Sequence, residues 1–420
     1  MVIGKREIPI KDEYFRKYYW DFDRVASNCH RWSTCKFLEP WKIKSARFSK
    51  ICPSSAYYYF DAYSMQGRVN LTNGLEVERN LKYEDCPGLM DIFYTCTMCG
   101  GCDAMCKSCN DLEPLRMLQE MRSRLVENGW LLPQHMLLID NLRKEDNMMM
   151  KPKSERGRWA EGLKVKDLTN DKAEVVFHCG CSIGFDDELW PIARVAVSLL
   201  ELAGVDFGIL GKDESCCGGR AYEMGYQGEF TKFAENNLDL WANTGAKTVV
   251  TPCSDCYYTF KRLYPEVGSK LEVLHMVEML DRLIKDGKLK LNKSVPMTVT
   301  YHDPCHLGRR TNVYVPGEPI TGIYEPPRDV IKSIPGITLV EMERNRECAW
   351  CCGASGGVRE SYPDFNLWTA QERLAEAKAT GAEAIVTACP WCVRNFRDAL
   401  SASGQKMKVY DVVELVAQAI

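Results

Sequence analysis

One cysteine pattern occurs twice in this chain, and it restricts the possible folds more than any other feature. The first copy reads Phe177-His178-Cys179-Gly180-Cys181, then Ser215-Cys216-Cys217-Gly218-Gly219, then Thr251-Pro252-Cys253-Ser254-Asp255-Cys256. The second reads Tyr301-His302-Asp303-Pro304-Cys305, then Trp350-Cys351-Cys352-Gly353, then Ala388-Cys389-Pro390-Trp391-Cys392. Each copy is a single Cys, a Cys-Cys-Gly and a Cys-x-x-Cys. The intervals are 34 and 35 residues in the first copy and 45 and 36 in the second. Core filling gives no reason for thiols in matched fives. A disulfide framework needs an oxidising compartment, yet the N-terminus, Met1-Val2-Ile3-Gly4-Lys5-Arg6-Glu7, has no apolar signal region. Zinc is satisfied by two Cys-x-x-Cys pairs, which leaves Cys216-Cys217 and Cys351-Cys352 without a role. A multi-iron cluster can use adjacent thiolates, because one thiolate can bridge two irons.

A second motif lies upstream. Cys96, Cys99, Cys102 and Cys106 are spaced Cys-x2-Cys-x2-Cys-x3-Cys, the ferredoxin spacing. Three thiolates two residues apart wrap one cubane, and Gly100 and Gly101 let backbone amides approach the sulfurs. In two-cluster ferredoxins the fourth Cys of a run serves the other cluster and precedes a proline. Here Lys107 follows Cys106, whereas Pro53 follows Cys52. Cys96, Cys99, Cys102 and Cys52 are therefore the expected ligands of one cubane. Cys29, Cys35, Cys86, Cys106 and Cys109 suffice for a second, although Cys29-x5-Cys35 replaces the usual tight run.

Around the repeated cysteines the pattern alternates between strand and helix. Short β runs are expected at 174–177, 205–210, 247–251 and 271–274, then at 297–301, 337–341, 383–387 and 408–410. Helical periodicity lies between them, at 189–202, at 222–241 and from Met276. Lys247–Cys253 and Glu383–Cys389 match at a constant offset of 136 residues. This alternation favours parallel sheets, whose ligands lie beyond the carboxyl ends of the strands. All five cysteines of each copy fall there, where helix N-termini and glycine amides favour an anionic cluster.

The repeat resembles the CCG domain of the heterodisulfide reductase catalytic subunits, over about residues 173–420. The resemblance implies a noncubane [4Fe-4S] cluster in each copy. Carried over, Cys181, Cys216, Cys217, Cys253 and Cys256 hold one, and Cys305, Cys351, Cys352, Cys389 and Cys392 the other. Aligning His178 with His302 places Cys181 on Cys305, leaving Cys179 and Cys348 as additional thiols. The N-terminal part resembles the helical ferredoxin module found beside CCG domains, with its first half degenerate. The expected fold is α/β: two tandem CCG repeats with parallel sheets, preceded by a mainly helical ferredoxin-like module. The expected divisions are 1–144 for the module with a basic arm, 145–172 for a linker, and 173–290 and 295–420 for the repeats.

The rest of the chain sets limits. A net charge of −3 does not point to nucleic acid, and no apolar run reaches the 18 residues of a membrane helix. The expected location is cytoplasmic, with cysteines reduced or metal-bound. Residues 1–60 carry 12 Lys/Arg against 6 Asp/Glu, a basic face suited to solvent or to an acidic partner. Tyr14, Phe15, Tyr18, Tyr19, Trp20 and Phe22 are expected to anchor this arm on a core. Asp111 can cap a helix that ends at Gly129, and a short apolar run follows at 136–142. Met148, Met149 and Met150 read as a packed strap. The glycine-rich stretches fit no dinucleotide fingerprint, so no NAD or flavin is expected.

Two functions fit. In the first, electrons pass from one or two cubane [4Fe-4S] clusters to two noncubane [4Fe-4S] clusters, and a disulfide is split between the repeats, one sulfur to each. His178, His302 and His306, beside motif cysteines, are candidate catalytic proton donors to the leaving thiolates. In the second, the chain is a non-catalytic electron-transfer subunit of a larger complex of electron-bifurcating, flavoprotein-linked or class II benzoyl-CoA reductase type. Both imply partner oxidoreductase subunits with a flavin or iron–sulfur donor.

Overall fold

Val249-Val250 and Ile385-Val386 are apolar on consecutive positions, the signature of parallel strands covered on both faces. The computed structural model, which describes residues 6–7, 19–20, 22–107, 112–312 and 321–420, places both in parallel sheets. The first sheet runs Lys166–Asp167, Phe207–Ile209, Val175–Phe177, Thr248–Thr251, Glu272–His275 from edge to edge. The second runs Ile337–Val340, Met297–His302, Ala384–Thr387, Lys408–Asp411. Every pairing in both is parallel. Without the added edge strand at 166–167, the order is the same: second, first, third, fourth strand. The 136-residue offset extends past the cysteines. His275 and Asp411 each close the fourth strand and cap the next helix, in capping boxes with Glu278 and Glu414. One apolar core runs through both repeats, from Val176 and Ile192 to Val386 and Val416.

The structure alters several sequence-based expectations. The helix expected at 222–241 is two helices, Gly219–Met224 and Gln227–Ala242. Gly225 between them has φ +98°, and a Cβ there would lie 2.4 Å from the Arg122 carbonyl oxygen. The break is thus imposed by the helix Pro114–Glu127 crossing at that point. The N-cap of that helix is Glu113, without a side-chain cap bond, and Asp111 lies outside the described residues. The apolar run at 136–142 is part of a longer helix, Pro133–Glu145. The segment 145–172 is packed: it supplies the edge strand, and buries Arg156 and Trp159. Met148 is buried, whereas Met150 is exposed. In the arm, Arg6–Glu7 pairs antiparallel with Tyr19–Trp20. Phe22 is buried, with the Arg124 guanidinium over its ring, while Tyr14, Phe15 and Tyr18 lie outside the described residues.

The N-terminal helices dock on the repeats through one buried side chain. Arg122 donates to the carbonyls of Phe93 (2.9 Å) and Cys96 (2.9 Å) in the module. It also donates to the carbonyls of Glu223 in the first repeat (2.9 Å) and Gly356 in the second (3.0 Å). Truncation would strand several buried acceptors at once. Arg122→Ala should lower stability by about 3 kcal/mol or more, and the half-exposed Arg116→Ala by under about 0.5 kcal/mol. Anaerobic urea unfolding of both variants measures the difference.

Candidate metal centres

The first strand of the first repeat ends in His178-Cys179-Gly180, and Cys181 opens the helix Cys181–Phe185. Gly180 has φ +80°, and a Cβ on it would come 3.0 Å from the Cys256 sulfur, so only glycine permits this approach. Cys216 and Cys217 follow the second strand. Cys253 is the N-cap of the helix Ser254–Tyr258, with Cys256 one turn inside it. The five thiols interact in one line: Cys181 with Cys216, Cys216 with Cys217, Cys217 with Cys256, Cys256 with Cys253. The second repeat repeats it: Cys305 with Cys351, Cys351 with Cys352, Cys352 with Cys392, Cys392 with Cys389. The Cys352 and Cys392 sulfurs are 3.3 Å apart. Supports match as well. Gly218 and Gly353 amides donate to the Cys216 and Cys351 sulfurs at 3.5 and 3.3 Å. Asn237 and Asn395 each donate to a carbonyl of the Cys-Cys pair. Hydrogen bonds from Cys216 and Cys351 hold Cys217 and Cys352 well below the ordinary thiol range.

Two further contacts join these lines. Cys253 meets Cys389 across the repeat interface, where Ser254 also donates to the Ala388 carbonyl at 2.6 Å. Cys99 of the ferredoxin motif meets Cys351, and Cys99, Cys305 and Cys351 form one buried group. Among the ten repeat cysteines, nine are buried and Cys181 is partly exposed.

In the module, Cys52, Cys96, Cys99 and Cys102 line one cavity, with Ile51, Arg68 and Leu115 among its walls. Cys29, Cys35 and Cys106 line a neighbouring one, with His30 and Trp32. Cys86 lines neither, and Cys109 lies outside the described residues. Cys179 points instead toward Glu214, which accepts its amide at 2.8 Å, and burial pushes its thiol up. Cys348 packs with Leu38, Ile51 and Met105.

The three histidines have different surroundings. His178 and His302 are both buried, each edge-on to a phenylalanine, Phe260 and Phe396, at 4.9 Å. His302 Nδ1 accepts from Arg373 Nε at 3.0 Å, which leaves its Nε2 toward Cys352. With Cys352 and Cys392, His302 could hold a single ion, its ligand atoms within 4.8 Å of theirs. That would leave Cys305, Cys351 and Cys389 without a role. His306 lies between the repeats. Its Nε2 is 2.6 Å from Glu223 Oε1, and its Nδ1 is 3.3 Å from the Cys305 sulfur and 3.4 Å from Asp255 Oδ1. Burial pulls its pKa down, but the two carboxylates raise it well above the ordinary range. Glu223 also accepts the Gly356 amide at 3.1 Å.

Sequence reasoning missed Glu223, Asp255, Glu214 and Arg156. Asp255 and Glu214 carried a signal, since a carboxylate inside or beside a motif for anionic sulfur is out of place. Glu223 and Arg156 carried none, because their partners are 83 and 25 residues away.

A family model described as a cysteine-rich domain, CCG, matches residues 175–261 and 299–397. A component of the dihydromethanophenazine:CoB–CoM heterodisulfide reductase from Methanosarcina mazei is 35% identical over 79% of this chain and 78% of its own length. The EtfAB:quinone oxidoreductase of Syntrophomonas wolfei is 28% identical over 94% of this chain and 57% of its own length. The probable iron-sulfur-binding oxidoreductase FadF of Bacillus subtilis is 32% identical over 78% of this chain and 46% of its own length. A hypothetical protein from Helicobacter pylori, 12% identical, shares the fold with a TM-score of 0.51 over 73% of this chain and 58% of its own. The chain belongs to the CCG family of iron–sulfur oxidoreductases, and within it resembles the heterodisulfide reductase component from Methanosarcina. Iron–sulfur clusters are the cofactors this membership implies, and lines of adjacent, buried thiols fit a multi-iron group. Among the described residues no helix is long and apolar enough to cross a membrane.

The Glu223 and His306 pair makes the repeat interface sensitive to one carboxylate. Glu223→Ala strands His306 and Arg310 and should cost about 3 kcal/mol. Glu360→Ala, at the more exposed end of the same network, should cost about 1 kcal/mol or less. Thermal unfolding under anaerobic conditions ranks the two.

Proposed function

We propose that the chain takes electrons at the ferredoxin motif and uses them to reduce a disulfide between the two repeats. Bound clusters would store and pass single electrons: a cubane on Cys52, Cys96, Cys99 and Cys102, a second beside Cys29, Cys35 and Cys106, and a noncubane cluster on each repeat's five thiols. The observation carrying this reading is the line of thiol contacts from Cys99 through Cys351 and Cys389 to Cys253 and Cys181. It joins a motif for single electrons to paired sites, and reducing a disulfide takes two electrons. His306 supplies the proton one departing thiolate needs, with Glu223 at 2.6 Å and Asp255 at 3.4 Å favouring its charged form beside Cys305. His178, enclosed by Phe260 and Trp241, and His302, tied to Arg373, support their loops.

The second reading, an electron-transfer subunit that hands electrons to or from a partner flavin, is favoured by the match to EtfAB:quinone oxidoreductase across 94% of the chain. One experiment separates them. Anaerobically purified protein should contain about sixteen iron atoms per chain. Cys217→Ser and Cys352→Ser should each lose about four and leave the cubane signals intact. Unchanged iron in both variants sinks the ligand assignment. In the oxidised protein, an electron paramagnetic resonance signal that arises only with added thiol supports disulfide reduction. Full iron with no such signal across a panel of thiols supports the electron-transfer reading.

A further inference from the structure

We propose that Arg156 sets the reduction potential of the first repeat's iron–sulfur cluster, by placing a fixed positive charge on the Cys181 sulfur. The inference rests on Cys181 being a ligand of that cluster. Arg156 comes from the segment preceding the repeat, and its side chain is fully buried. Its Nη2 lies 3.3 Å from the Cys181 sulfur and 2.6 Å from the Asp146 carbonyl oxygen. Its Nη1 lies 3.1 Å from Glu214 Oε1. Glu214 is also engaged by the Cys179 and Gly180 amides, at 2.8 and 3.0 Å. One carboxylate therefore orients the guanidinium and the loop carrying Cys181 together, with the second arm of the guanidinium directed at sulfur. A buried arginine is retained where it is paired, and this one faces the Glu214 carboxylate, with the Asp146 carboxylate also acting on it.

The second repeat places a different cation beside the corresponding sulfur, His306, whose Nδ1 lies 3.3 Å from Cys305 Sγ. The segment entering it, 286–296, contains no arginine, and its Lys288, Lys290 and Lys293 are exposed. Beside Cys305 stands His306, whose charge is answered by Glu223 at 2.6 Å and Asp255 at 3.4 Å. A guanidinium does not lose its proton. Each electron added to a cluster increases the negative charge on its sulfurs, so a cation and a hydrogen bond at sulfur raise the potential. The two repeats are thus alike in their cysteines and differ in the cation at the first sulfur, a guanidinium in one and an imidazole in the other.

The test is a redox titration of the iron-loaded chain, followed by electron paramagnetic resonance and visible absorbance. The first-repeat midpoint is the one missing from Cys217→Ser. Arg156→Met should lower it by a tenfold change in the equilibrium constant, which is about 59 mV for one electron. Arg156→Lys should restore most of the shift, and the other midpoints should stay in place. Arg156→Met leaves Glu214 without its cation, so the double variant Arg156→Met/Glu214→Gln provides a second reading if the single variant folds poorly. Full iron with an unmoved midpoint overturns the proposal and leaves the cluster assignment standing. Loss of first-repeat iron from Lys, Met and double variants alike also overturns it, making Arg156 a scaffold residue. A Cys217→Ser protein with full iron overturns the assignment itself.

Discussion

Everything in this molecule depends on bringing rows of adjacent thiols into water-poor sites. A thiolate buried without a partner is unfavourable, and nine of the ten repeat cysteines are buried. The fold meets the requirement with parallel strands that all end on one side of each sheet. Each strand hands its cysteines to a turn or a helix N-terminus, where amides and short apolar walls receive anionic sulfur. Glycine amides on Cys216 and Cys351, and asparagine amides behind both Cys-Cys pairs, recur in the two copies because the requirement recurs.

Around those sites the charges are arranged in pairs. Arg156 with Glu214, His306 with Glu223, and Arg328 with Asp303 are buried cation–carboxylate pairs within reach of a motif cysteine or its loop. Buried pairs of this kind contribute little net stability but are costly to break. Their role here is to fix loop positions and the field at sulfur. Arg122 acts on a larger scale, fastening the ferredoxin module to both repeats through carbonyls of Cys96, Glu223 and Gly356. Cys99 consequently reaches Cys351.

The repeat is an internal duplication in which the protein kept ligands and changed their surroundings. Strand order, capping boxes and the histidine–phenylalanine contact are preserved. The cations are not: one copy faces an arginine from the preceding segment, the other a histidine shared by two carboxylates. Two sites of equal composition can in this way differ in the field at their sulfurs.

The strands, the repeat and the grouping of the thiols were legible in the sequence because each depends on local pattern: apolar runs of four or five residues, motif spacing, and a constant offset of 136. Cys52 could be paired with Cys96, Cys99 and Cys102 from the following proline alone, and the four line one cavity. What the sequence left open depends on pairings across the fold. It did not reveal that Gly225 breaks a helix, since the cause is a carbonyl of Arg122 on another helix. It did not separate Cys86 from Cys29, Cys35 and Cys106, since they differ only in where their loops pack. It gave no sign that the charged segment 145–172 delivers Arg156 to Cys181. Cysteine spacing by itself determined the chemistry this chain can hold. Tertiary structure alone decided which charges face each sulfur, because electrostatic contact is a matter of distance in space and carries no period along the chain.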